Sequence, residues 1–493
     1  MAVDEEAPVP VLVVGAGPTG SVAALLLARL GVASTVVDRE PRPYPGPRAV
    51  HLDDEAVRIL AQVGLAAVFA GLSRPATGLR LLDARLRPFA EFRRDGPGVH
   101  GYPQSNLFDQ PDLDAALRTA LHRHPLVTLR TDCELVGIEE GRPVGAVLHG
   151  LQGTERVRAA VVLGCDGARS TVRAAVGAGL RDLRFDERWF VVDVRCRSGI
   201  PTWGGVDQVC DPRRAATFLP LPGDRYRWEF RMHPGESADA LARPDQLSRL
   251  TAAWGVPVTE LEVVRAAAYT FRARIADRWR SGPVLLLGDA AHLMPPFIGQ
   301  GLGAGLRDAH NLAWKLAATL RGAGPGFLDT YERERAPHVE AVIRGAVRVG
   351  RALTGGPHAT AALRRPLAGL LLRVPGVRGR AQRGIATRYP AGPLVDRRRH
   401  RADLPGTPCP QPTVLVERGP TPLDDVLGDG YALVTDGEPD AALAARAREL
   451  GARTVRLGID VTDDGVLREW LAAGRAAAAL VRPDRIVQAS SPR

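Results

Sequence analysis

An α/β fold built on a parallel sheet, interrupted by an inserted β-sheet domain and extended by a C-terminal domain, is predicted from three stretches of the sequence. The first is the apolar run Val9 to Val14, which leads straight into Gly15-Ala16-Gly17-Pro18-Thr19-Gly20. The second is VLLLGDAAHLMPPFIGQGLGAG, from Val284 to Gly305, where a short apolar strand meets a turn and then a helix. Between them, from Phe185 to Ile275, the runs WFVVDVRC, AATFLPLPG, YRWEFRM and VVRAAAYTFRARI are broken by Pro and Gly, as in a β-sheet domain. A chain of 493 residues has room for two or three such units and a sizeable core.

Composition narrows the function classes. Apolar content of 45% and charged content of 24% describe an ordinary globular protein. No uninterrupted apolar run approaches the roughly 18 residues of a membrane helix, and Asp4, Glu5 and Glu6 stand where a secretory leader would be basic. A cytoplasmic protein without membrane attachment is expected. Cys133, Cys165, Cys196, Cys210 and Cys409 are odd in number and contain no Cys-x-x-Cys pair, which argues against a disulfide framework, a metal site or dithiol chemistry. The net charge of +10 comes from arginine, Lys315 being the only lysine, and no aromatic-interleaved basic cluster points to nucleic acid.

In chain order, Val9 to Val14, the glycine turn, a helix ending near Gly31 and a strand from Ser34 to Asp38 give the succession that a dinucleotide fingerprint demands. Gly15 permits the turn, Gly17 lets backbone approach a pyrophosphate, and Gly20 allows helix to pack on strand; Pro18 and Thr19 lie within the same turn. Asp38 is placed to bind an adenosine ribose. The pattern does not separate FAD from NAD.

The segment PRPYPGPRAVHLDDEAVRILAQVGL reads as a proline-rich loop closed by a helix that Asp53 caps. In YPQSNLFDQPDLDAALRTAL, Gln104 precedes a helix introduced by Pro111 and Asp112. Strand patterns resume from Val127 to Ile138 and from Val157 to Gly164, the latter running into Cys165-Asp166-Gly167, where Asp166 is suited to cap a helix. Within the inserted sheet, Trp228, Phe230, Tyr269 and Phe271 are candidates to line a substrate pocket, with core packing the alternative for each.

Asp289 then stands at the carboxyl end of a buried strand, the place where open α/β sheets bind ligands. Pro295-Pro296 makes a rigid corner, and Gly299-Gln300-Gly301 lets backbone approach a flat ligand. The helical pattern from Leu306 to Leu320 directs its N-terminal amides back at those glycines, where they favour a ring that gathers negative charge. Two further helices are expected at His338 to Leu353 and Ala359 to Leu372. Ala341 to Val395 holds arginines but no acid, as a solvated face or a homo-oligomer contact would.

These motifs, in this order, resemble those of the FAD-dependent aromatic hydroxylases, the group A flavoprotein monooxygenases. PRAVHLDDEAVRIL, SNLFDQPDL and HLMPPFIGQG are most similar to the 3-(3-hydroxyphenyl)propionate hydroxylase-like branch. The resemblance implies a Rossmann-like FAD-binding domain over 1–180 and 276–394, a substrate-binding sheet over 181–275, and a thioredoxin-like domain over 395–493. Asp289 matches the ribityl-binding aspartate. Gly299, Gln300, Gly301 and Leu302 match the loop beside the flavin pyrimidine, Gly303 replacing a frequent Asn. Asp38 and Arg39 fall at the adenosine end, Arg48 and Gln104 near the flavin, and Asp166 near the pyrophosphate. The Pro296 carbonyl and Phe297 fall nearest the reacting carbon of the substrate. The C-terminal domain carries the family's closing Val481-Arg482-Pro483-Asp484 but lacks its redox cysteines, so packing or assembly is its expected role.

The chemistry implied is reduction of FAD by NADH or NADPH, addition of molecular oxygen to give a C4a-hydroperoxide, and hydroxylation of a small phenolic substrate, in aromatic catabolism or natural-product tailoring. No metal is called for. A flavin Baeyer-Villiger or epoxidising oxygenase is the alternative, and a non-enzymatic flavin or basic binding protein the alternative from another class.

Overall fold

The computed structural model describes residues 8–46, 48–354, 388–396 and 404–493. Strand β1 (Val9–Val14) is apolar on both faces because it lies inside a parallel sheet. It pairs in parallel with β2 (Ser34–Val37) on one side and β3 (Gly153–Gly164) on the other; β4 (Val284–Leu286) adds in parallel beyond β3, and Val127–Arg130 beyond β2. Helix α1 (Pro18–Arg29) connects β1 to β2 and is buried along nearly its whole length, which its Ala and Leu content permits. Helix α2 (Asp54–Gln62) starts at Asp53, whose carboxylate accepts from Ala56 N at 2.9 Å, as expected of a cap. Helix α3 (Gly301–Leu320) packs on α1, and α4 (Asp329–Thr354), which follows after a turn, is a single helix with Pro337 inside. The helix expected at Ala359 to Leu372 lies outside the described residues.

The second sheet has eight strands, in the order His292–Leu293, Glu262–Ala276, Leu180–Arg195, Arg225–Arg231, Ala216–Pro220, Val206–Val209, Gly78–Leu82 and Pro88–Arg93. Its last two strands come from well before the segment 181–275. Register decides which way each side chain points. Phe190 pairs with Phe230, Val192 with Trp228 and Phe218 with Trp228, so these residues share one face and close a core of their own with Leu241, Leu247 and Trp254. The opposite face carries Trp189, Val191, Asp193, Arg227, Glu229, Tyr269 and Phe271. That face is turned to the first domain: Arg227 donates to the Arg48 carbonyl and the Trp189 ring meets Phe297 at 5.8 Å.

The C-terminal sheet places Ala432–Thr435 parallel to Arg453–Arg456 and antiparallel to Ala476–Val481, with Val487–Pro492 completing a hairpin. A parallel β–α–β unit followed by an antiparallel hairpin is consistent with the thioredoxin-like domain expected there. Charged contacts join it to the first domain. Arg58 of α2 makes two bonds of 2.7 Å to Asp424, and Arg482 reaches Glu334 of α4 at 2.8 Å. Lys315 of α3 donates to the same Glu334 at 2.8 Å. The motif Val481 to Asp484 is therefore a docking element. Among the described residues no helix is long and apolar enough to cross a membrane, and no cluster of His, Cys, Asp and Glu is arranged to hold a metal ion. None of the five cysteines forms a disulfide.

Candidate active site

The glycine turn is shaped by exclusion of side chains. Gly15 has φ +105°, and a Cβ there would collide with the Cys165 carbonyl; a Cβ at Gly20 would collide with the Gly15 carbonyl. Gly17 differs, since a Cβ there would meet nothing within 4 Å. Open space at Gly17 and the absence of a side-chain cap leave the N-terminus of α1, entered through Pro18, ready for an anion. The Thr19 hydroxyl is wedged where a Cβ at Gly288 or Gly305 would lie, so it couples the turn to β4 and α3 by packing. Asp38 accepts from Ala16 N at 2.6 Å and from Glu40 N at 2.8 Å, which sets its carboxylate beside the turn. Arg39 is exposed and lies 3.4 Å from Glu40. Asp166 accepts from Val172 N at 3.0 Å and from the Ser170 hydroxyl at 2.5 Å, so its immediate role is to cap a helix.

Asp289 is different from the other acids. Its side chain is exposed, yet it is so surrounded by protein that burial raises its pKa against the opposing charges of His292 and Arg48. A carboxylate that is both enclosed and open describes the floor of a cleft. His292 does not share that opening: its Nε2 is 2.7 Å from Asp308, which also accepts from Gly288 N at 3.0 Å and from Arg335 at 2.8 Å. His292 thus fastens the turn below Asp289.

The loop after Pro295 closes on Gly299, whose φ is +62°. Gly299 N donates to the Pro296 carbonyl at 2.8 Å, so the carbonyl expected to face substrate is already engaged in the turn. His51, not singled out from sequence, lies with Nδ1 3.3 Å from the Gly299 carbonyl and Nε2 2.9 Å from the Ser105 hydroxyl. A carbonyl only accepts, so Nδ1 holds the proton and Nε2 accepts from Ser105. Burial lowers the pKa of His51 and keeps it neutral.

The Gln300 side chain turns away from the loop, donating to Asp53 at 2.9 Å and accepting from Arg307 at 3.0 Å. Arg307 in turn pairs with Asp53 and Glu55, each at 2.6 Å, and its guanidinium would meet a Cβ at Gly303 at 2.8 Å. Helix α3 begins at Gly301 without a side-chain cap, so the first-turn amides of Gly301 and Leu302 face the cleft. Gln104 approaches the Asp95 carbonyl at 3.5 Å on the rim. Arg48 is exposed and holds its guanidinium 4.6 Å over the Tyr44 ring.

The aromatic candidates divide by strand parity. Tyr269 and Phe271 lie on the face turned to the cleft, and Phe297 packs between Phe185 and Trp189 at 5.6 and 5.8 Å. Trp228 and Phe230 do not line it. They point through the sheet into its separate core, Trp228 lying 5.0 Å from Phe218 and 5.8 Å from Trp254. Their odd-numbered neighbours Arg227 and Glu229 face the cleft instead. The alternation of apolar and charged residues in YRWEFRM was the signal for this.

An anion site at Gly17, an acid beside the turn, a hydroxyl acceptor at Asp289 and free amides at Gly301 together fit the pyrophosphate, ribose, ribityl chain and electron-poor ring of FAD. Residues 8–346 match the FAD binding domain family, and residues 406–493 match the HcaD C-terminal domain. The chain belongs to the FAD-dependent aromatic hydroxylases. The hydroxylase is 35% identical to 3-(3-hydroxy-phenyl)propionate/3-hydroxycinnamic acid hydroxylase 2 of Burkholderia vietnamiensis, over 98% of this chain and 93% of that one. It is 33% identical to a probable NADH-specific resorcinol 4-hydroxylase of Rhodococcus jostii, over 97% and 91%. Among solved structures it resembles aklavinone-11 hydroxylase with FAD and aklavinone, with a TM-score of 0.80 and 29% identity over 99% of this chain and 96% of that chain. It also resembles the anhydrotetracycline hydroxylase of Streptomyces rimosus, with a TM-score of 0.77 and 27% identity over 98% and 95%.

Proposed function

We propose that this hydroxylase holds FAD between the glycine turn and the start of α3, takes electrons from NADH or NADPH, and hydroxylates a small phenolic substrate with molecular oxygen. The observation that carries the reading is Asp289, enclosed yet open at the foot of a cleft whose far wall is the polar and aromatic face of the middle sheet. Residues 1–180 and 276–394 form the cofactor half, 181–275 with the strands at 78–93 the substrate half, and 395–493 the docked third domain. Gly15, Gly17, Pro18, Thr19, Gly20 and Asp166 surround the pyrophosphate, and Asp38 with Arg39 the adenosine. Asp289 receives the ribityl hydroxyls. Arg48, Gln104, Pro296, Gly299, Gln300, Gly301 and Leu302 border the ring. A cytoplasmic setting and a homo-oligomer fit the charge pattern.

When bound, FAD supplies acceptance of hydride from nicotinamide and activation of oxygen. The chain's own part is to orient and to exclude water. The amides at Gly301 and Leu302 favour negative charge on the ring edge, while Trp189, Phe271 and Phe297 wall the cleft with apolar surface that keeps solvent out. A phenol has a pKa near 10, so forming phenolate at pH 7 costs about 4 kcal/mol unless the site lowers it. A buried acceptor for the hydroxyl proton reduces that cost.

The test is anaerobic reduction by NADH or NADPH in the presence of a panel of phenols, followed by turnover in labelled molecular oxygen. Label in the ring ortho or para to the hydroxyl supports hydroxylation. Label in a lactone or ester establishes the Baeyer-Villiger alternative, and label only in peroxide marks the compound as an effector.

A further inference from the structure

We infer that Glu229 sets the substrate class of this hydroxylase: its carboxylate receives a hydroxyl or N–H donor of an uncharged aromatic and repels aromatic carboxylates from the same end of the cleft. The inference rests on the reading of the cleft given above.

Glu229 lies on the strand Arg225–Arg231. In the middle sheet its row runs Thr217, Glu229, Val191, Ala267. The row on one side is Leu219, Arg227, Asp193, Arg265, and Arg227 is tied to the carbonyl of Arg48. On the other side lie Arg231, Trp189 and Tyr269, and Trp189 packs on Phe297. Glu229 therefore stands midway between the two places where the sheet touches the cofactor domain, on the face directed at it.

Asp109, Asp112, Asp193 and Glu229 share this face and its border with Arg225, Arg227, Arg231 and Arg265, four anions and four cations. Arg231 donates to the Pro212 carbonyl at 2.8 Å, and the other three cations are spent on the aspartates. Arg227 gives Nε and one terminal nitrogen to Asp193 at 2.6 and 2.9 Å, and its other nitrogen to Arg48 O. Arg265 bonds Asp193 at 2.9 Å and Asp109 at 2.6 Å; Arg225 bonds Asp109 and, at 2.8 Å, Asp112. Glu229 is left 3.9 Å from Arg227, too far for a hydrogen bond, and accepts none from a described residue. The Glu229 side chain is 12% exposed, so its oxygens reach open space and are not sealed in packing.

A carboxylate desolvated and left without a hydrogen-bond donor in this way takes a donor strongly and resists a second anion. Burial accordingly pushes its pKa up, Arg227 only partly offsetting the effect. Arg48 does not supply a counter-charge, since its guanidinium lies over Tyr44 and acts on Asp289. A resorcinol-like ring offers the required donors. A hydroxyphenylpropionate presents one hydroxyl and one negative charge.

The experiment uses the full-length FAD-loaded protein, wild type and Glu229→Gln. The probes are 3-(3-hydroxyphenyl)propionate, its isosteric primary amide, and resorcinol, with binding read from flavin absorbance and from stimulation of anaerobic reduction. Wild type is expected to bind the amide at least about tenfold more tightly than the carboxylate. In Glu229→Gln that ratio falls towards one, chiefly because the carboxylate gains. Glu229→Asp keeps the charge and is expected to keep the preference for the amide. Equal wild-type affinity for amide and carboxylate overturns the inference, as does a ratio that Glu229→Gln leaves unchanged in protein retaining FAD. A holoenzyme whose flavin responds to none of these compounds, nor to a wider set of phenols, refutes the phenol reading itself.

Discussion

Replacing Arg307 by Met tests whether the flavin loop is held by charge from below. Arg307 pairs with Asp53 and Glu55 at 2.6 Å each and donates to the Gln300 side chain at 3.0 Å, so one guanidinium fixes the cap of α2 and the last residue before α3. Burial alone would raise the pKa of both acids; the charge of Arg307 more than offsets it and holds both below their ordinary values. Met fills similar volume but leaves two enclosed carboxylates facing each other. Removing one partner from a buried pair costs 3–5 kcal/mol, and the partial exposure of these groups reduces that to about 3 kcal/mol. The unfolded carboxylates titrate near pH 4, so the knot's stabilisation is fully present above roughly pH 5 and is lost as pH falls through that range. In the variant the unpaired acids bind protons more readily, so the deficit is largest at pH 7 and shrinks towards pH 5. FAD affinity, measured by titration of apoprotein, should weaken about tenfold because Gln300 loses one of its two anchors. Stability is read from urea unfolding followed by release of flavin fluorescence at the two pH values. A deficit below about 1 kcal/mol, or one equal at both pH values, refutes the reasoning.

Asp289→Ala removes an acceptor from the floor of the cleft. Loss of a charge-assisted bond of about 1.5 to 3 kcal/mol should weaken FAD binding on the order of tenfold to a hundredfold in the same titration. Asp54 has its pKa raised to about 7 by burial and by neighbouring Asp53. The unfolded chain therefore releases this proton first, and stability falls as pH rises from about 4 to 7; Asp54→Asn should remove that slope and gain on the order of 1–2 kcal/mol at pH 8, as melting curves across pH would show. Cys409 is buried, its pKa pushed up to about 12, and it has no thiol partner. Cys409→Ser should leave steady-state turnover unchanged, and a tenfold loss would reinstate thiol chemistry in the C-terminal domain.

Much of the cofactor half was legible because its constraints are local. Gly15 takes a φ of +105°, Gly20 faces the Gly15 carbonyl within the same turn, and Asp53 caps the helix that follows it immediately. Helix α3 starts at Gly301 and not at Leu306, because glycines that look like a loop in the sequence are made helical by packing of Gly305 on Thr19. Gln300 belongs to the loop whose backbone is expected beside the flavin pyrimidine, and the sequence is silent on where its side chain goes. That side chain is claimed by Asp53 and Arg307, a link between two helices distant in the chain.

The sequence by itself determined the α/β class, the order of the cofactor motifs and the likeness to aromatic hydroxylases, since each depends on residues within a few positions of one another. Tertiary structure decided which face of the middle sheet sees the cleft. That choice sent Trp228 and Phe230 into a separate core and turned Arg227 and Glu229 inward. Alternation shows that two faces differ but not which one a distant domain will cover. Packing also decided that His51 meets Gly299, and that Arg58 and Arg482 carry the C-terminal domain, because ion pairs between residues more than a hundred positions apart depend on the packing that brings them together.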